Sequence, residues 1–146
     1  MSKLVLLIED DVDDERLTLR ALRKNNVDNE VVVTVDGQDA IDYLFRKGKH
    51  SGMGATLLPD VIILDLKLPK LSGLEVLRSI RENDTTKNIP VVVLTSSDDP
   101  KQIDEAFQAG ANSFVRKPDD PTQYSDAILN ISMYWLILNE TVPSVA

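Results

Sequence analysis

A chain of 146 residues with 24 acidic against 16 basic side chains has room for one domain with a real core, and carries a formal net charge of −8. That balance opposes non-specific binding to nucleic acid, which needs clustered Lys and Arg, and adhesion to anionic membranes. With no cysteine, disulfides, thiolate nucleophiles and thiolate metal sites are excluded.

The N-terminus runs from Met1-Ser2-Lys3 through a short apolar stretch into acid, which is not a signal peptide, and no window reaches membrane-spanning length. A cytoplasmic protein is expected. Lys3 to Ile8 reads as a buried strand stopped by Glu9-Asp10-Asp11. Asp13 to Lys24 reads as a helix carrying Leu17, Leu19, Ala21 and Leu22, with Asp13 and Asp14 suited to the positive end of its dipole. Glu30 to Val35 is a second strand, broken at Asp36-Gly37, and Ala40, Ile41, Leu44 and Phe45 give the next helix its stripe. Arg46 to Pro59 reads as an unusually long loop, with the single histidine, His50, a loop residue rather than a ligand.

A nearly all-apolar run, Val61-Ile62-Ile63-Leu64, then ends on Asp65, with Pro69 and Gly73 close behind, as in a central strand covered on both faces. Ser72 and Glu75 form a capping-box pattern before a helix with Leu74, Leu77 and Ile80 inward. After a polar turn over 83–88, Pro90 to Leu94 is a fourth strand ending on Thr95-Ser96-Ser97. Ile103, Ala106 and Phe107 mark a short helix stopped at Ala109-Gly110, and Asn112 to Arg116 is a fifth strand ending at Lys117-Pro118. Pro121 opens a last helix running to about Asn139. Strand and helix alternating five times predict an α/β fold, a parallel sheet with helices on both faces and right-handed crossovers.

All parallel strands present their carboxyl ends on one edge, where open α/β sheets bind ligands. Four of those ends carry Glu9-Asp10-Asp11, Asp65, Thr95-Ser96 and Lys117. Each alone has an ordinary explanation: acids start helices or end strands, hydroxyls cap, and lysines are solvated. Together they place several carboxylates, a hydroxyl and an ammonium on one rim. Crowded carboxylates need an offsetting cation, and a magnesium ion takes a few carboxylates plus waters. Asp65 can then attack phosphorus, with the metal, Lys117 and the Thr95 hydroxyl neutralising the phosphoryl oxygens.

This ordered set, Glu9-Asp10, Asp65, Pro69 with Gly73, Thr95-Ser96 and Lys117-Pro118, resembles the receiver domain of two-component response regulators over roughly residues 3 to 139. The resemblance implies a single receiver domain over 1–146, with a tail at 140–146, and a flavodoxin-like, doubly wound five-stranded sheet in the order 2-1-3-4-5. It implies phosphorylation of Asp65 by a sensor histidine kinase, in a signalling protein rather than a turnover enzyme. One Mg2+ would be held by Asp10, Asp65, Glu9 and the backbone carbonyl of Lys67. Thr95 would close onto the phosphoryl group, Lys117 would pair with it, and Phe114 would move with Thr95 as a switch, or serve simply as core.

Three departures from the usual pattern are informative. Glu9 stands where aspartate is common, with a side chain long enough to reach the site. Lys67, two residues after Asp65, would tune the lifetime of the acyl phosphate together with Ser97, or is a solvent-exposed lysine. The last helix carries a stripe of Tyr124, Ile128, Ile131, Trp135 and Leu138, widened by Leu129, Met133, Leu136 and Ile137, which suggests a homodimer surface or a helix deeply covered within the monomer. The apolar tail Thr141 to Ala146 would lie over the partner subunit. The long loop, the Glu-Asp pair and this helix resemble stand-alone receivers paired with bacterial phytochrome kinases.

Rival readings fit less well. Aspartyl-nucleophile phosphatases need a second aspartate where Lys67 stands. A phosphorylation-independent pseudo-receiver would not require the full residue set, and a dinucleotide module would carry a Gly-rich turn after the first strand. A DNA-binding output is not expected from a sequence of this length, which holds one domain.

Overall fold

The computed structural model describes residues 3–24, 29–52 and 58–140. In chain order the elements are β1 (Lys3–Ile8), α1 (Val12–Lys24), β2 (Asn29–Thr34), α2 (Gly37–Phe45), a 3-10 turn (Gly48–His50), β3 (Val61–Leu64), α3 (Gly73–Glu82), β4 (Val91–Thr95), α4 (Pro100–Gln108), β5 (Ser113–Arg116) and α5 (Pro121–Met133), which runs on into a π-helical turn (Tyr134–Leu138). The five strands pair in parallel, as their apolar runs predicted, in the order β2-β1-β3-β4-β5 that the family resemblance implied.

Side chains alternate across a strand, so each central strand supplies two cores. Val5, Leu7, Val61, Ile63, Val92 and Leu94 face α1 and α5, where they meet Leu22, Tyr124 and Ile128. Leu6, Ile8, Ile62, Leu64 and Val91 face the other way, onto Leu44 of α2 and Leu77 and Ile80 of α3. A smaller cluster of Leu66, Val93 and Ala106, with Phe114 against it, seats α4. Each fully buried Leu or Ile contributes about 1.5–3 kcal/mol relative to leaving it in water.

The helices start where short polar side chains take up free N–H groups. Asp11 Oδ1 accepts from Asp14 N at 2.9 Å, so α1 begins at Val12, one residue earlier than the sequence suggested. Asp36 caps α2, and Asp120 caps α5 ahead of Pro121. Ser72 caps α3 by accepting from Glu75 N and donating its hydroxyl to the Glu75 carboxylate.

Some expectations need correction. The stretch after α2 carries a 3-10 turn, which folds back so that His50 Nε2 lies 2.8 Å from Asp39 Oδ1. Tyr43, absent from the expected α2 stripe, is buried, whereas Phe107 of α4 is 49% exposed. On the last helix Leu136 is 6% exposed and belongs to the core, and Leu138 is 68% exposed. The cause is the π-helical turn, closed by Asn139 N donating to Tyr134 O at 2.7 Å. One extra residue per turn carries Leu136 rather than Leu138 back to the sheet. Leu136 is therefore removed from the proposed dimer surface. The tail at Thr141–Ala146 lies outside the described residues, as do 53–57 of the long loop.

Candidate functional site

Ladder hydrogen bonds continue one residue past the strands and fix the backbone of the site. Glu9 N donates to Thr34 O at 3.0 Å, Asp65 N to Ile8 O at 3.1 Å, and Lys117 N to Thr95 O at 2.7 Å. Glu9, Asp65, Thr95 and Lys117 are thereby brought together on one edge of the sheet.

Lys117, whose side chain is only 8% exposed, is the hub. Its ammonium donates to Glu9 Oε1 at 2.8 Å, Asp14 Oδ2 at 2.7 Å and Asp65 Oδ2 at 2.9 Å. Three N–H groups meet three carboxylates, the full donor capacity of a lysine. The other Asp65 oxygen, Oδ1, accepts from the backbone N–H of Lys67 at 3.1 Å. Burial alone would lower the Lys117 pKa, but its bonds to Asp14, Glu9 and Asp65 raise it, so the ammonium stays charged. Glu9 is 2% exposed. Burial pushes its carboxyl up to about 8, against the pull of the Lys117 bond and with a further push from the charge of Asp65.

Carboxylate oxygens of Glu9, Asp10 and Asp65 all lie within 4.8 Å of one another, and Asp10 is exposed to solvent. Hard oxygen donors, a solvent-facing member for entry and a buried acid short of positive charge together suit a divalent cation. Thr95, at the end of β4, is fully buried, and its Oγ1 has no hydrogen-bond partner among the described residues. A buried hydroxyl without a partner costs free energy unless something else arrives to bond it. On its strand Thr95 shares a face with Val93, which pairs in register with Phe114 of β5. Phe114 is half-buried against Leu66, Val93 and Ala106.

The remaining expected residues are placed less centrally. The Lys67 side chain is exposed. Ser97 accepts from Asp99 N at 3.3 Å, in the turn before α4. Leu129 is half-buried, and Met133 and Ile137 are exposed. Sequence reasoning missed the part Asp14 plays: as an acid in the first turn of a helix it had a sufficient explanation in the helix dipole. It also missed the contact that ties α1 to α5 below the site, where Tyr124 Oη lies 3.1 Å from Thr18 Oγ1, which donates to Asp14 O at 2.8 Å. No helix among the described residues is long and apolar enough to cross a membrane.

Residues 5–129 match the family model of the response regulator receiver domain. The response regulator Rcp1 of Synechocystis sp. is 33% identical over 134 residues, 92% of this chain and 89% of that protein. A crystal structure of its Mn2+-bound form aligns at TM-score 0.89 and 31% identity, covering 97% of this chain and 99% of that one. The phosphorylated cyanobacterial phytochrome response regulator RcpA aligns at TM-score 0.91 and 34% identity over 98% of this chain and 100% of its own. The bacteriophytochrome response regulator RtBRR aligns at TM-score 0.76 and 43% identity over 98% of this chain and 86% of its own. Fold, ordered strand-end residues and these likenesses agree: the chain belongs to the response regulator receiver family of two-component signalling proteins.

Proposed function

We propose that Asp65 is the phosphoacceptor of a single receiver domain, charged by a partner histidine kinase. The observation that supports this is the Asp65 carboxylate, bonded to the Lys117 ammonium at 2.9 Å and clustered with Glu9 and Asp10, on the same sheet edge as the unpartnered hydroxyl of Thr95. An Asp65 carboxylate oxygen attacks phosphorus as the phosphorus–nitrogen bond of a phosphohistidine breaks, and the imidazole keeps the electron pair. Glu9, Asp10 and Asp65, with the Lys67 carbonyl, would hold one Mg2+, which neutralises phosphoryl charge when bound. Lys117 gives one of its N–H groups to the phosphoryl oxygens, and Thr95 donates the hydroxyl that now has no acceptor.

The bonded Thr95 biases the Val93–Phe114 packing, and with it the seat of α4, toward a second arrangement. Lys67 and Ser97 flank the acyl phosphate and set how quickly water reaches it. Leu129, Met133 and Ile137, with exposed Tyr134 and Leu138 beside them, form the face of a homodimer. The likeness to RcpA and RtBRR favours a bacteriophytochrome as the kinase, acting in the cytoplasm. The test is incubation with acetyl phosphate and Mg2+ followed by intact mass measurement. Wild type gains one phosphoryl group and Asp65→Asn gains none; equal masses before and after for wild type refute the assignment.

A further inference from the structure

Lys117 and a divalent cation draw on the same carboxylates. Of the three acids bonded to the ammonium, Glu9 and Asp65 also belong to the cluster whose oxygens converge within 4.8 Å, whereas Asp14 does not. Asp14 also comes from a different kind of element. It sits in the first turn of α1, with its backbone N–H held by the Asp11 cap, and its side chain is 27% exposed. Its bond to Lys117, at 2.7 Å, is the shortest of the three.

We infer that Asp14 is a positioning residue for the cation site: it retains the Lys117 ammonium while Glu9 and Asp65 turn to the metal. The inference rests on the reading of the site given above. In the metal-free protein three acidic side chains share the ammonium, and the loss of any one is partly covered by the other two. Once a cation draws on Glu9 and Asp65, Asp14 is the one anion left wholly to Lys117. Asp14 therefore stabilises the metal-bound arrangement more than the metal-free one, which is the condition for raising metal affinity. Without it, the ammonium leans on Glu9 and Asp65 and competes with the cation for them. The same holding action keeps Lys117 at the edge of the site, facing Asp65, when the phosphoryl group arrives.

The experiment is calorimetric titration of Mg2+ into wild type, Asp14→Asn, Asp14→Glu and Asp13→Asn. Asp13 lies one residue earlier in the same turn and is exposed, so its variant removes the same charge from the helix start. Removal of a group that orients a ligand set lowers metal affinity about tenfold or more, so Asp14→Asn should weaken binding about tenfold. Asp14→Glu, which keeps a carboxylate able to reach the ammonium, restores most of the affinity, and Asp13→Asn changes it little. The same substitution made in a Lys117→Met background separates position from charge: acting through Lys117, Asp14→Asn then loses its excess effect over Asp13→Asn. Affinity for Asp14→Asn equal to wild type or to Asp13→Asn overturns the inference, as does an undiminished loss in the Lys117→Met background. Absence of Mg2+ binding by wild type overturns the cation-site reading itself, and this inference with it.

Discussion

Gly73 at the start of α3 lies so close to the end of β3 that a Cβ on it would sit 2.5 Å from the backbone oxygen of Asp65 and 2.5 Å from Leu66 Cα. Its N–H donates to Leu66 O at 3.0 Å, which locks the two elements at that approach. The absent side chain is therefore part of how Asp65 is aimed. Gly73→Ala forces a backbone shift and is expected to cost about 1–3 kcal/mol in denaturant unfolding. It should also slow acetyl phosphate labelling of Asp65, because the displaced backbone carries the proposed acceptor.

The orphan hydroxyl of Thr95 predicts a separation of stability from function. Thr95→Val removes a buried polar atom that bonds to nothing among the described residues. The metal-free, unphosphorylated protein should become more stable by about 1 kcal/mol. Phosphoryl loading or its conformational readout should fall, since the donor is gone. Urea midpoints and intact mass on the same preparations test both halves. A destabilised variant would mean that the hydroxyl has a partner after all.

Glu9 sets a pH dependence with a definite sign. Its carboxyl moves from 4.5 in the unfolded chain to about 8 in the fold, chiefly through burial. Between those values the unfolded chain has released the proton and the folded one still holds it. This group therefore contributes stability fully below pH 4.5 and loses it as pH rises toward 8. A divalent cation takes the place of the proton, so the gain in Tm from Mg2+ should be larger at pH 8.5 than at pH 6. Glu9→Gln should flatten the difference in thermal scans.

The π-helical turn divides neighbouring residues of the last helix by function. Leu136→Ala opens a cavity in the core and is expected to cost about 2–4 kcal/mol. Ile137→Ala, at an exposed site, should stay within about 0.5 kcal/mol in a monomer. Replacing Met133 and Ile137 together by aspartate should leave the fold intact and halve the mass seen by light scattering. A mass unchanged from wild type would remove this face as the dimer contact.

Much of this was legible in the sequence because parallel strands buried on both faces read as unbroken apolar runs. Leu4–Ile8, Val61–Leu64 and Val91–Leu94 could hardly be anything else, and the polar residues that end them fall on one edge by topology. What stayed hidden depends on side-chain direction. Asp14 joins the site only because the Asp11 cap starts α1 where it does, placing the acid over the sheet edge. Arg81, an unremarkable helix residue in the sequence, donates to the carbonyls of Gly110, Lys87 and Ile89 and to Asn112 Oδ1, binding the turns on either side of β4. The Leu136 and Leu138 assignments were exchanged because helical periodicity assumes 3.6 residues per turn throughout.

That wider turn also works as a counting device. Within Tyr134–Leu138 the side chains sit on faces offset from those that 3.6-residue spacing implies, and the helix ends there, with Asn139 in extended backbone. Deleting a single residue between 134 and 138 should close the turn to ordinary α geometry without breaking the helix. The residues left in that last turn would then fall at ordinary α spacing, about 100° apart around the axis. Length in this segment, more than the identity of any one side chain, decides which of its residues reach the core and which stay exposed.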